Sequence, residues 1–197
     1  MDYQTKPLSR LRIRRLAPIM RRMFGVPESG PFPVLQALEK LGDVFRFSNY
    51  LVVEDNLLPC RTMARCIPNN LGGFTIEIKQ TVYDGAYQNG TGAFLGFICH
   101  EICHVFLFSL GFMPISLKEY EANTLPAFCS TEWQAKALCG EVMAPYGECA
   151  HMPQKEIVKV FHCSASTANY QKSLLLMAST PVSAPCVSYR QVDSLRG

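Results

Sequence analysis

The sequence predicts an α+β fold with a small, mostly antiparallel sheet. Three observations lead there: helical periodicity toward both ends, short stretches of strand character between them, and one long apolar helix carrying a polar triad. The chain has 197 residues, enough for one compact domain or one domain plus a small appendage. Hydrophobic residues make up 48% and charged residues 18%, a composition that builds a core rather than a disordered chain. A formal net charge of +3 is too mild to argue for nucleic-acid binding.

The elements follow in order. Residues 8–23 read as an amphipathic helix with Leu8, Leu11, Leu16, Ile19 and Met23 on its apolar face and Pro18 as a candidate kink. Arg10, Arg12, Arg14, Arg15, Arg21 and Arg22 crowd into the same stretch, which reads as a solvated basic face before it reads as a phosphate- or membrane-binding one. A loop at 27–33 leads to a second helix over 34–41, stopped by Gly42. Residues 44–53 have strand character, 59–70 are turn-rich, and 74–79 alternate Phe74, Ile76 and Ile78 with Thr75, Glu77 and Lys79 as a half-buried strand does. A loop over 86–92 opens into an apolar helix, and a break at 125–130 precedes a strong helix over 131–143, stopped by Pro145. Residues 153–176 read as two helices joined at 162–164. Lacking a basic recognition face, this pair is expected to pack on the core rather than bind DNA. The Ser/Pro-rich stretch 179–197 reads as an irregular tail.

The segment 93–113 is nearly long and apolar enough to cross a bilayer. It carries His100, Glu101 and His104 at its middle, with no second comparable run to shield them, so a buried core helix is the expected form. The nine cysteines include no close CxxC pair, and the first residues hold charge without a signal-peptide apolar run. Reduced, mostly buried thiols in a cytoplasmic protein follow as the expectation.

The residues His100-Glu101-Ile102-Cys103-His104 form HExxH within that helix. Residues four apart share a helical face, so both imidazoles can take neighbouring corners of a zinc tetrahedron. A carboxylate one residue after the first histidine can reach a water at the metal and accept its proton as a general base. The flanks Phe94, Leu95, Phe97, Ile98, Val105, Phe106, Leu107 and Phe108 make burial of two imidazoles and a carboxylate costly, and a metal ion offsets that cost.

A catalytic zinc takes three protein ligands. Leu110 occupies the position where a third histidine of the extended HExxHxxGxxH pattern would stand, leaving Glu119, Glu121, Glu132 and Glu141 as candidates. Glu132 relates to the apolar positions Ala135 and Cys139 by i+3 and i+7, and Glu141 lies near the same face, so periodicity leaves both open.

The pair HEICHVFLF and TEWQAKALCGEVMAP resembles the ImmA/IrrE family of zinc metallopeptidases, with weaker similarity extending over about residues 70–176. The resemblance implies His100, His104 and Glu132 as Zn2+ ligands, Glu101 as general base, and a zincin-like fold of gluzincin type with an active-site helix. It also implies a protein substrate, such as a helix-turn-helix repressor; the mild charge and the buried-helix reading of 93–113 add the expectation of no direct nucleic-acid or membrane partner. Lys136 stands where Asn or Asp is usual in that family, Ala144 where Met is usual, and Cys99 and Cys103 where small residues are usual. The expected organisation is a basic helical segment over 1–30, a metallopeptidase core over 31–150 and a helical segment over 151–178 packed on it.

The resulting expectation is a zinc endopeptidase. The alternative is a non-catalytic zinc-binding regulatory or toxin-type module, motivated by the departures at Lys136 and Ala144 and by the basic first helix. An intramembrane protease is the third reading. Tyr120, Tyr146 and His151 are candidate oxyanion donors with ordinary packing or surface roles as their plainer reading, and Cys103 reads as a small buried thiol.

Overall fold

In the computed structural model, which describes residues 2–116, 118–121 and 124–178, helices enclose a small mixed sheet. The elements are β1 (Asp2–Tyr3), α1 (Arg10–Met23), α2 (Val34–Glu39), α3 (Leu41–Val44), β2 (Asn49–Val53), β3 (Ala64–Pro68), β4 (Phe74–Lys79), α4 (Gln80–Asn89), α5 (Gly92–Ser109), β5 (Glu119–Tyr120), α6 (Thr131–Met143), α7 (Tyr146–Cys149), α8 (Gln154–Phe161) and α9 (Ala165–Ala178). The α+β class expected from the sequence is what forms. The irregular tail expected over 179–197 lies outside the described residues.

The main sheet has the order β2-β4-β3, and β1 pairs with β5 in a separate two-stranded ribbon. Pairing is antiparallel for β3–β4 and β1–β5 but parallel for β2–β4, with Tyr50 opposite Ile76 and Val52 opposite Ile78. The sheet is therefore mixed where a mostly antiparallel one was expected. Part of the reason is that β3, inside the turn-rich stretch, has an amphipathic pattern obscured by Pro59, Pro68 and two arginines. Strand β4 is also covered more fully than its alternation suggests. Ile76 and Ile78 face the core, while on the opposite side Thr75 and Lys79 are buried too. The Lys79 ammonium donates to the carbonyls of Pro59 and Cys60, at 3.1 and 3.2 Å, so the loop ahead of β3 supplies its acceptors.

Two further boundaries differ from the sequence reading. Val44 ends a short helix rather than opening a strand, and Phe47 turns the chain in a left-handed conformation (φ 65°) before β2 begins. Residues 80–89 form a helix ended by left-handed Gly90, where a loop was expected across its second half. Helix α1 continues through Pro18.

The core face of α1 is not the one its aliphatic residues outline. Leu11, Ile19 and Met23 are 59%, 41% and 45% exposed, whereas Ile13, Ala17, Met20 and Phe24 are buried. Arginines share the buried side, because positions 10, 13, 14, 17, 20, 21 and 24 follow the 3.6-residue repeat. Arg14 pairs with buried Glu141 at 3.0 Å, and Arg10 lies 3.9 Å from the same carboxylate. Arg21 is wholly buried and donates to the carbonyls of Pro27, Val142, Ser29 and Gly30 at 2.5–3.0 Å. Half of the basic cluster thus joins α1 to α6 and to the following loop, which removes those three arginines from any solvated or phosphate-binding face.

Helix α5 passes through the middle of this assembly. It is long and apolar enough to cross a membrane by length and composition. Here Ile98, Cys99, Ile102, Cys103, Val105, Phe106 and Leu107 are all buried, with α2, α4, α6, β3 and β4 packed around the helix. Its first residue is fixed by close approach: a Cβ on Gly92 would lie 2.6 Å from the Cys163 carbonyl carbon. The turn between α8 and α9, with His162 in a left-handed conformation, is thereby seated on the start of α5. The segment 153–176 forms two helices, α8 and α9, and α9 lies against α6 and α7.

Replacing Arg21 by Met would leave several buried carbonyls without a donor, each costing about 1–3 kcal/mol. The expected result is a loss on the order of 3 kcal/mol or more in unfolding free energy, read from the urea midpoint.

Candidate metal centre

Two helices bring the site together. The register of α5 places His100 and His104 one turn apart on the face turned toward the start of α6. Ser130 caps α6, its Oγ accepting from the Trp133 N–H at 2.8 Å, and Glu132 sits in the first turn. The donor atoms converge. His100 Nε2 lies 3.1 Å from His104 Nε2 and 3.1 Å from Glu132 Oε2, and His104 Nε2 lies 3.4 Å from Glu132 Oε1. Ligands about 2.0–2.1 Å from a tetrahedral centre are about 3.3 Å from one another, so these separations fit one face of such a polyhedron. The three side chains could hold a metal ion, and the chemistry of two imidazoles and a carboxylate suits a borderline divalent one.

The electrostatics give the same picture. Burial works against a charge on His100, but the hydrogen bond it donates to Glu132 and the nearby Glu101 outweigh it and raise the imidazole to about 9. Burial likewise opposes ionisation of Glu132, yet the hydrogen bonds and charges of the two histidines hold its carboxyl well below the ordinary range. Without a metal, His100 and Glu132 are therefore a proton-bridged ion pair. His104 is 5% exposed and its Nδ1 is buried with no hydrogen-bond partner among the described residues.

Glu101 points to the same cleft. That cleft, of about 720 Å³, is lined by Glu101, His104 and Glu132 on one side, by Phe97 and Phe108, and by the residues of β3 on the other. It continues past Phe74, Phe108 and Met113 into an apolar hollow of about 620 Å³ near Met23 and Phe45. A further recess of about 470 Å³ lies on the far side of His100, between Phe97, Cys139 and Tyr170, with Lys136 at its rim. Lys136 thus faces a recess beside the triad.

Other candidates go elsewhere. Glu141 is 4% exposed but is consumed by Arg14, Arg10 and the Tyr146 N–H. Glu119 accepts from the Tyr3 hydroxyl at 2.7 Å. Tyr146 lies under the Arg14 guanidinium, 3.6 Å from its ring centroid, and Tyr120 reaches Gln4, so neither lines the cleft. His151 is exposed. Cys103 is fully buried, and burial and its thiol neighbours push it well above its ordinary value, keeping it a thiol. Tyr3, which does line the cleft, has no local sequence signal: only the pairing of β1 with β5 brings it there.

Comparison with protein-family models, with curated proteins and with solved structures finds no match to this chain.

Since His100 must shed its proton before its Nε2 can bind a cation, metal affinity is linked to pH. Its raised value of about 9 makes the protonated form dominant at neutral pH. Apparent affinity for a divalent ion is expected to rise about tenfold per pH unit from 7 and to level off near 9, in competition titrations against a chelator of known pH dependence. Affinity that is flat across this range contradicts the proton-bridged pair.

Proposed function

We propose that the protein is a zinc-dependent endopeptidase of zincin-like architecture, resembling the ImmA/IrrE metallopeptidases, with His100, His104 and Glu132 as metal ligands and Glu101 as general base. The observation that carries this reading is the convergence of three donor atoms within 4.8 Å of one another at the wall of a cleft that Glu101 also lines. Two imidazoles and one carboxylate leave the fourth position of a tetrahedral ion to water or substrate, the composition of a catalytic rather than a closed structural site.

A bound zinc ion would supply Lewis acidity, acidifying water and polarising the scissile carbonyl. The remaining work belongs to the chain. Glu101, adjacent to His100 but turned into the cleft, accepts the proton of the attacking water and delivers it to the amine nitrogen as the C–N bond breaks. Strand β3 is at the edge of the sheet and runs along the cleft, so its outward N–H and C=O groups can align an extended peptide over the triad. The apolar hollow beyond Phe74 and Phe108 extends that track for a protein substrate. By the family resemblance, the substrate class is regulatory proteins such as helix-turn-helix repressors. A cytoplasmic setting accords with that class, and burial of α5 in the core supports a role away from the bilayer.

Glu101→Gln is the deciding variant. Zinc content should stay at the wild-type level, while cleavage of an unstructured protein substrate falls by about 10²–10⁴-fold. A variant retaining zinc and full proteolysis ends this mechanism. Zinc binding with no cleavage by the wild type, across varied protein substrates, identifies the non-catalytic module instead.

A further inference from the structure

The first turn of α6 is gripped from below by a residue far away in sequence. Asp2 is 6% exposed, and its carboxylate is surrounded by donors. Asp2 Oδ1 accepts from the Tyr3 N–H at 2.8 Å, the Thr131 hydroxyl at 3.1 Å and the Glu132 N–H at 3.2 Å. Asp2 Oδ2 accepts from the Ser130 hydroxyl at 2.5 Å. The same Ser130 oxygen caps Trp133, so residues 130–133 are joined in one network ending on a single buried carboxylate. A negative charge at a helix N-terminus is favourable, and bonds to a charged acceptor are among the stronger ones.

Glu132 needs this support. Its side chain is 48% exposed, and three rotatable bonds separate its carboxylate from the backbone. Such a side chain meets two imidazoles reliably only when its own Cα is fixed. On the other flank, fully buried Gln134 donates to the carbonyls of Lys6 and Phe128, both at 2.8 Å. The Thr5 and Leu8 N–H groups reach the carbonyls of Cys129 and Phe128. Residues 2–8 therefore form a strap along the approach to α6, and Asp2 is the point at which it touches the ligand-bearing turn.

We propose that Asp2 is a positioning residue of the metal centre: its buried carboxylate fixes the Glu132 backbone so that the Glu132 side chain closes on His100 and His104. This rests on the reading of Glu132 as a metal ligand. A capping residue with a purely structural role would stabilise α6 but leave the metal affinity of the folded protein unchanged. A positioning residue ties that affinity to its carboxylate.

The test uses the full chain with zinc alone as the probe, titrated against a competing chelator. Wild type, Asp2→Ala, Asp2→Asn and Glu132→Gln are compared, with circular dichroism recording that each is folded. Removing a group that orients a metal ligand typically weakens binding 10–100-fold, and that is the loss expected for Asp2→Ala. Asp2→Asn keeps an oxygen for the Glu132 N–H and loses the charge, so its affinity should fall between the two. In the cobalt-loaded protein, the visible absorption of the Asp2 variants should shift from wild type, reporting altered coordination. Should Asp2→Ala fail to fold, Asp2→Asn decides: wild-type zinc affinity in that variant overturns the role of the carboxylate. Weak binding by Glu132→Gln beside wild-type binding by the Asp2 variants overturns the positioning role alone. Wild-type binding by Glu132→Gln overturns the ligand assignment and this proposal with it.

Discussion

Two imidazoles set one turn apart on an otherwise apolar, core-packed helix impose a requirement that the surrounding structure meets. Apart from Glu101 and Phe97, which face the cleft, most residues between and around them on α5 are buried hydrophobics, and His104 itself is 5% exposed. An imidazole pair in such surroundings, 3.1 Å apart at Nε2, needs either a cation between the nitrogens or a proton and a counter-charge. Glu132 answers both needs. It is the partner of a protonated His100, and it could complete a donor set for a cation in place of that proton. The same short distances that suit the site to a metal also bring His100 and Glu132 into direct contact.

That arrangement depends on α6 staying in one place relative to α5. Helix α6 is fixed along its length by polar contacts rather than by apolar packing alone. Asp2 and Ser130 hold its first turn, Gln134 ties the next to the strap, and Glu141 and the Val142 carbonyl meet arginines of α1 near its end. Apolar helix faces tolerate sliding at modest cost, whereas a buried carboxylate or guanidinium loses several hydrogen bonds if displaced. The basic first helix is thus part of the site's foundation. Its charges set the registry of α6, and its outward aliphatic residues, Leu11 among them, are left in solvent.

The parts of this design that were legible in the sequence are those carried by local patterns. HExxH and its apolar flanks identified α5, and the break before residue 131 together with Pro145 gave α6 its bounds. The two helices after residue 153 were equally plain. What escaped were features decided at long range. The face of α1 was misread because arginines that pair with Glu141 and with carbonyls count as polar in any periodicity argument. Strand β3 was missed because prolines and charges mask an edge strand, and α4 because a short helix starting directly after a strand shows little period of its own. Asp2 and Tyr3 carried no signal, since their partners lie more than a hundred residues away.

The two glutamates of α6 show how one helix serves two charge problems. Periodicity against Ala135 and Cys139 left Glu132 and Glu141 on comparable footing as ligands, yet they lie nine positions apart. At about 100° per residue that separation places them on opposite sides of the helix. Glu132, in the first turn, faces the imidazoles of α5. Glu141, near the end, faces Arg10 and Arg14 of α1 and accepts the Tyr146 N–H. Exchanging their roles would require α6 to rotate by half a turn and to slide by about 13 Å, stranding Arg14 without its carboxylate. That Glu132 rather than Glu141 stands beside the histidines therefore follows from where the arginines of α1 are. A carboxylate already neutralised by partly buried guanidinium groups is unavailable to a cation, whereas the one left half exposed beside two histidines could hold one.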